Sequence, residues 1–209
     1  MGDRVKLHRH ALRLDGREYT VITPRPGTGV RFSTNQFHDT WHVLSDLRGG
    51  RLLARLLWGL AYQRVPGTLV LIGPPFLDPN PFDAGPADPI ALIPSGLTSL
   101  STQAALQLRQ RLPLGMPAGT VRWHTPGLDL AIAAVRYQRR LPLAQRQAPS
   151  YSRASHGHHI SRVGGVLVMA ATAPELKDWA TGAGQLGDHF YEGSDYAYLG
   201  EPDGEVRLR

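Results

Sequence analysis

Apolar residues recur with two different periods along the chain, and the change from one to the other marks the predicted elements. In RVKLHRHALRLDGREYTVIT, residues 4–23, apolar and polar positions partly alternate on both sides of Asp15-Gly16. Alternation around an Asp-Gly pair predicts a β-hairpin. The loop PRPGTG follows, and Ser33 then stands three residues before Gln36. That spacing is a capping box and predicts a helix over about 34–47, with Phe37, Trp41 and Leu44 along one face. Gly49-Gly50 is expected to end it. The next helix is predicted over about 51–64 and is apolar nearly all round, its polar stripe being Arg51, Arg55 and Gln63. Such a helix belongs at the centre of a fold or beneath a partner. Pro66-Gly67 breaks it, and TLVLIG at 68–73 reads as a buried strand.

The rhythm then lapses. A Pro/Asp-rich stretch over about 74–98, beginning GPPFLDPNPFDAGPADP, is expected to form a long loop. Beyond it the pattern predicts a helix at 101–112 and a strand at 119–124. A further helix runs from Thr125-Pro126 to about Arg140, with the threonine as its cap. Residues of about 142–162 read as a polar, histidine-bearing linker. GGVLVMAA predicts a second buried strand, and Thr172-Ala-Pro-Glu175 a second capping box that opens a helix to about Thr181. DYAYLGEPDGEVRLR reads as a closing hairpin. Strands alternating with helices between two terminal hairpins predict the α/β class, bordering on α+β. The expected architecture is a mixed sheet with packed helices, within a single globular domain over residues 1–209.

Composition narrows the chemistry. With 42% hydrophobic and 19% charged residues, the chain has the make-up of a folded domain. It has no cysteine, which excludes disulfides, thiolate metal sites and cysteine nucleophiles. The charged N-terminus lacks the apolar core of a signal peptide, and no stretch is long and apolar enough to span a bilayer, so a cytoplasmic protein is expected. Lys6 and Lys177 are the only lysines, against 21 arginines. That bias points to GC-rich codons and a bacterial source, and it inflates arginine everywhere.

Candidate catalytic groups are few. On a helix over 34–47, His38 and His42 lie one turn apart on one side, with Asp39 and Asp46 nearby. A metal site needs a third ligand that the sequence does not identify, so a solvated helix face is expected and no metal or other cofactor is assigned. His156, His158 and His159 in SHGHHISR read as part of a polar loop. Asp78, Asp83 and Asp88 are evenly spaced, and two of them precede proline as turn openers. The loop that carries them leaves a buried strand, where α/β proteins tend to place ligands. An enzyme would use Asp78 or Asp83 there with His38 or His42. Neither a phosphate-binding P-loop nor a G-x-S-x-G serine elbow occurs.

Charge distribution says more. Residues 173–209 hold eight acids against three bases, a net of −5, within a chain of net +6. Residues 101–162 hold nine arginines and one acid, Asp129, a net of +8. A block this basic attracts anions. Arg136, Arg139, Arg140, Arg146, Arg153 and Arg162 would supply the charge, and Tyr137 or Tyr151 would stack on bases. Other readings are complementation of a helix dipole, docking on the acidic C-terminal region, and codon bias alone. The expectation is a non-catalytic binding or assembly protein that engages a polyanion, either nucleic acid or an acidic protein surface. The alternatives are the His/Asp enzyme and a structural subunit that oligomerises through the apolar helix.

Overall fold

A computed structural model describes residues 4–145, 157–187, 195–199 and 204–208. The N-terminal alternation produces the expected hairpin: β1 (Arg4–Leu14) and β2 (Arg17–Thr23) pair antiparallel. Asp15 and Gly16 turn between them with φ of 48° and 73°. These are the two left-handed positions that a two-residue hairpin turn requires.

The helix predicted over 34–47 is instead a second hairpin. β3 (Phe32–Phe37) and β4 (Thr40–Ser45) pair antiparallel around His38 and Asp39, whose φ values are 48° and 63°. The register puts Thr34 opposite Val43 and Gln36 opposite Trp41, so these four share one face. His-Asp is an uncommon pair for a left-handed turn, although both residue types tolerate that region better than most. Ser33 and Gln36 are strand residues, and the capping-box spacing was coincidental.

The following helix, α1 (Leu47–Leu60), begins earlier than predicted. Its cap is Asp46, whose carboxylate accepts a hydrogen bond from the Gly49 amide at 2.7 Å. Gly49-Gly50 therefore lies inside the first turn and does not stop a preceding helix. A Cβ at Gly49 would collide with the Ser45 hydroxyl. Leu53, Leu56, Leu57 and Leu60 are fully buried, and each stabilises the fold by about 2 kcal/mol relative to exposure.

β5 (Thr68–Ile72) and β6 (Ile90–Pro94) are buried along their whole length. β6 occupies the end of the segment expected to be loop, so the Pro/Asp-rich connection is shorter than 74–98. α2 (Thr102–Gln110), β7 (Gly119–His124) and α3 (Leu128–Arg140) follow. The residue capping α3 is Gly127, at φ 82°, and not Thr125. A short 3-10 turn covers Leu143–Gln145. β8 (His159–Val163) replaces the end of the linker predicted over 142–162, and β9 (Val166–Ala171) is the expected buried strand. α4 (Ala173–Gly184) opens with the predicted capping box. β10 (Asp195–Tyr198) and β11 (Gly204–Leu208) form the antiparallel pair expected near the C-terminus.

Two mixed sheets result. One has seven strands in the order β7-β1-β2-β5-β6-β9-β8, parallel at β2–β5 and β6–β9. The other runs β10-β11-β4-β3, parallel at β11–β4. The period of two along the long sheet divides its apolar residues between two layers. Val70, Ile72, Leu92 and Met169 face α1, α3 and α4, whereas Leu69, Leu71, Ile93 and Val168 face α2. α1 packs closely against α4, so the chain itself covers its most apolar helix. The α/β class and the mixed sheet with packed helices are as the sequence indicated. Among the described residues, no helix is long and apolar enough to cross a membrane.

Candidate functional site

The residues considered for catalysis lie in different settings. His38 sits exposed at the tip of the β3–β4 hairpin and stacks on Phe37 with ring centroids 4.0 Å apart. His42 is half-buried on β4. Asp78 is paired with Arg31 at 3.4 Å on the surface. Asp83 accepts a hydrogen bond from the Gly85 amide at 2.9 Å, which fixes a loop turn. Only Asp83 of these four lines the shallow groove of about 300 Å³ that also holds Trp41, Asn35, Asn80, Asp88 and Arg162. Without a helix over 34–47, His38 and His42 no longer share one side at one-turn spacing. Among the described residues no three His, Asp or Glu side chains gather as metal ligands.

The second histidine cluster also divides. His156 lies outside the described residues. His158 Nδ1 bonds Glu175 at 3.1 Å, and His159 Nε2 bonds the Ser161 hydroxyl at 2.6 Å. Glu175 is a structural hub. Its other oxygen accepts from the Thr172 amide at 2.9 Å and the Thr172 hydroxyl at 2.8 Å, which closes the start of α4.

The arginines assigned to a polyanion surface occupy separate elements. Arg136, Arg139 and Arg140 lie in the C-terminal half of α3, with Tyr137 63% exposed beside them. α3 buries only Leu128 and Ile132, so most of its circumference is open. Arg162, on β8, makes a two-pronged ion pair with Asp88, at 2.7 and 3.1 Å. Asp88 raises the Arg162 pKa by hydrogen bonding and by charge, and the pair neutralises itself. Arg146, Arg153 and Tyr151 lie outside the described residues.

Strand pairing creates a different basic surface, one that reading the strands singly does not reveal. β7 is the edge strand of the long sheet and pairs antiparallel with β1. The register sets Arg4 opposite His124, Lys6 opposite Arg122 and His8 opposite Thr120. Side chains alternate, so these six point to one side of the sheet. Val5, Leu7, Val121 and Trp123 point to the other, against α1. Trp123 packs directly on the backbone of α1 at Gly59, where a Cβ would collide with the ring. That side is covered at Leu7 and Trp123 and partly at Val5 and Val121, and Arg9, further along the same side, is exposed. On the other, Arg4, Lys6, Thr120, Arg122 and His124 are all exposed and His8 is half-exposed.

Neither Arg4, Lys6 nor Arg122 has an ion-pair partner among the described residues. Like charges directly opposed across strands are destabilising, and Lys6 with Arg122 is such a pair. Further along β1 the same face is gradually covered. His10 is buried and reaches the Thr23 hydroxyl at 3.4 Å, and Leu14 lies under α2. Burial holds the His10 pKa below its usual value, and the neighbouring His8 lowers it further. Between the open and the covered parts is a hollow of about 440 Å³ lined by His10, Leu12, Arg111, Leu114, Met116 and Ala118.

The sequence signal for this face was present in RVKLH and in VRWH, each of which alternates basic and apolar residues. What was missing was that strands 115 positions apart lie side by side. Compared with known proteins, the chain matches no family model, no curated protein and no solved structure.

Proposed function

We propose that this is a binding protein that engages a polyanion through the open face of β1 and β7. The observation that carries the reading is the Lys6–Arg122 juxtaposition, flanked by Arg4 and with no ion-pair partner among the described residues. A fold gains nothing from placing two cations opposite each other on an exposed sheet. A bound anion turns the repulsion into shared attraction, and the potentials of neighbouring cations add. The backing of Trp123 on α1 holds the strands in place, so the backbone that carries the cations needs no reordering on binding.

The C-terminal half of α3, with Arg136, Arg139, Arg140 and Tyr137, belongs to this reading as an outlying basic patch. Leu128 and Ile132 seat α3 on the opposite side of the long sheet, so a short ligand contacts one patch or the other. A long polyanion reaches both by passing round the β7 edge.

Titrating the protein with fluorescent heparin and with RNA at increasing salt tests the proposal. Binding is expected to weaken linearly on logarithmic axes as counterion release requires. The double variant Lys6→Glu/Arg122→Glu is expected to lose most of the affinity while keeping its fold. A flat salt response, or full affinity in the double variant, defeats the reading.

A further inference from the structure

We infer that the polyanion is a single-stranded nucleic acid, and that the hollow beside His10 receives one of its unstacked bases. The inference rests on the polyanion reading above and adds the class of ligand. Alternate residues along a strand are separated by roughly 6.8 Å, comparable to the distance between successive phosphates of an extended single strand. A strand laid along β1 therefore meets Arg4, Lys6, His8 and His10 in step. The first two offer charge. His8, half-exposed, offers an imidazole ring, one of the platforms on which unpaired bases stack, and the buried His10 presents only its edge to the hollow.

The hollow itself separates this ligand from other polyanions. It lies next to the basic face, through His10 and Leu12 of β1, and is a half-open hollow of about 440 Å³. Its lining is mixed: Leu12, Leu114 and Met116 supply apolar surface, His10 a ring edge, and Arg111 a cation at the rim. Met116 is 95% exposed, a large apolar side chain presented to solvent at the mouth. Apolar surface next to a cationic track suits a flat, weakly polar group attached to a phosphodiester. A sulfated glycan or an acidic peptide would use the cations and leave the hollow idle. A duplex keeps its bases paired inside and would present phosphates alone.

Fluorescence anisotropy with short labelled oligonucleotides tests this, using single-stranded RNA, single-stranded DNA and duplex DNA at one salt concentration, with heparin and polyglutamate as competitors. Either single strand is expected to bind at least tenfold more tightly than the duplex, and the tighter of the two identifies the sugar. Met116→Ser changes no charge and alters a side chain that is already in solvent, so the fold is retained. It is expected to lower single-strand affinity about fivefold, as loss of a base contact would, and to narrow the lead over duplex. Equal binding of single strand and duplex, or an unchanged Met116→Ser variant, overturns the inference while salt-sensitive heparin binding leaves the polyanion reading intact. Stronger competition by polyglutamate than by oligonucleotide also overturns it, in favour of an acidic protein partner. Failure of every anion to bind removes both.

Discussion

Replacing Lys6 by glutamate is expected to stabilise the protein and to weaken its ligand binding at the same time. Lys6 stands directly across from Arg122 on the exposed side of β1 and β7. Opposed side chains in an antiparallel pair have Cβ atoms about 5 Å apart, which places the charged ends at roughly 6 Å. Two like charges at that distance in water repel by about 0.7 kcal/mol. With a Debye length of about 8 Å at physiological ionic strength, about 0.3 kcal/mol of this remains. Reversing one sign converts that repulsion into an attraction of similar size, a swing of about 0.7 kcal/mol. For a chain of this length the swing raises Tm by about 2 °C. Calorimetric melts of the parent and Lys6→Glu in low and in molar salt measure it. The gain should be largest in low salt and should vanish in molar salt, where the Debye length is about 3 Å. Affinity for heparin in the same buffers should fall roughly tenfold as a cation is replaced by an anion. A Lys6→Glu protein that melts below the parent in low salt, or that binds heparin undiminished, would refute the claim that Lys6 and Arg122 share an unneutralised face.

Other consequences follow from packing and protonation. Gly59→Val places branched carbon against the Trp123 ring and is expected to cost about 1–3 kcal/mol in urea denaturation, with a shift in tryptophan emission. Glu175→Ala removes the acceptor shared by Thr172 and His158, and a loss of about 2 kcal/mol is expected by the same assay. His10 resists protonation in the folded state, whereas in the unfolded chain it takes up a proton near pH 6.5. Its contribution to stability is therefore complete above pH 6.5 and is lost as the pH falls through the lower folded value. His10→Gln should flatten that part of the stability profile, and an equally steep decline in the variant would assign the slope to other groups.

The sequence predicted best wherever local pattern and tertiary demand agree. LVLI at 69–72 and VLVMAA are apolar at every position, and both became strands buried on two faces. The Thr172–Glu175 spacing was a capping box because the helix after it packs on α1. The same spacing at Ser33 and Gln36 led to a helix that does not exist. There the deciding information was a left-handed turn at His38-Asp39, a pair with weak turn preference, and a pairing of β4 with β11 from the far end of the sequence. β6 was hidden for a related reason: IALIP is short, ends in proline and follows a proline-rich run, and only its place between β5 and β9 makes it a strand. For the candidate site, net charge drew attention to residues 101–162, and only some of the arginines there lie on described elements. Arg162 is paired with Asp88, 74 positions away, and Arg4 and Lys6, which have no ion-pair partner among the described residues, lie outside the segment whose charge was most conspicuous.

The pairing of β4 with β11 also bears on how the molecule is made. β4 ends at Ser45, and the strand that lies parallel to it is contributed by residues 204–208. During synthesis the β3–β4 hairpin must wait with one edge open until residues 204–208 have left the ribosome. An open edge is a template for pairing with other chains, and contacts this distant in sequence form slowly. Nascent or C-terminally clipped molecules are thus the species in which aggregation should begin, and the segment through which they associate should be Thr40–Ser45.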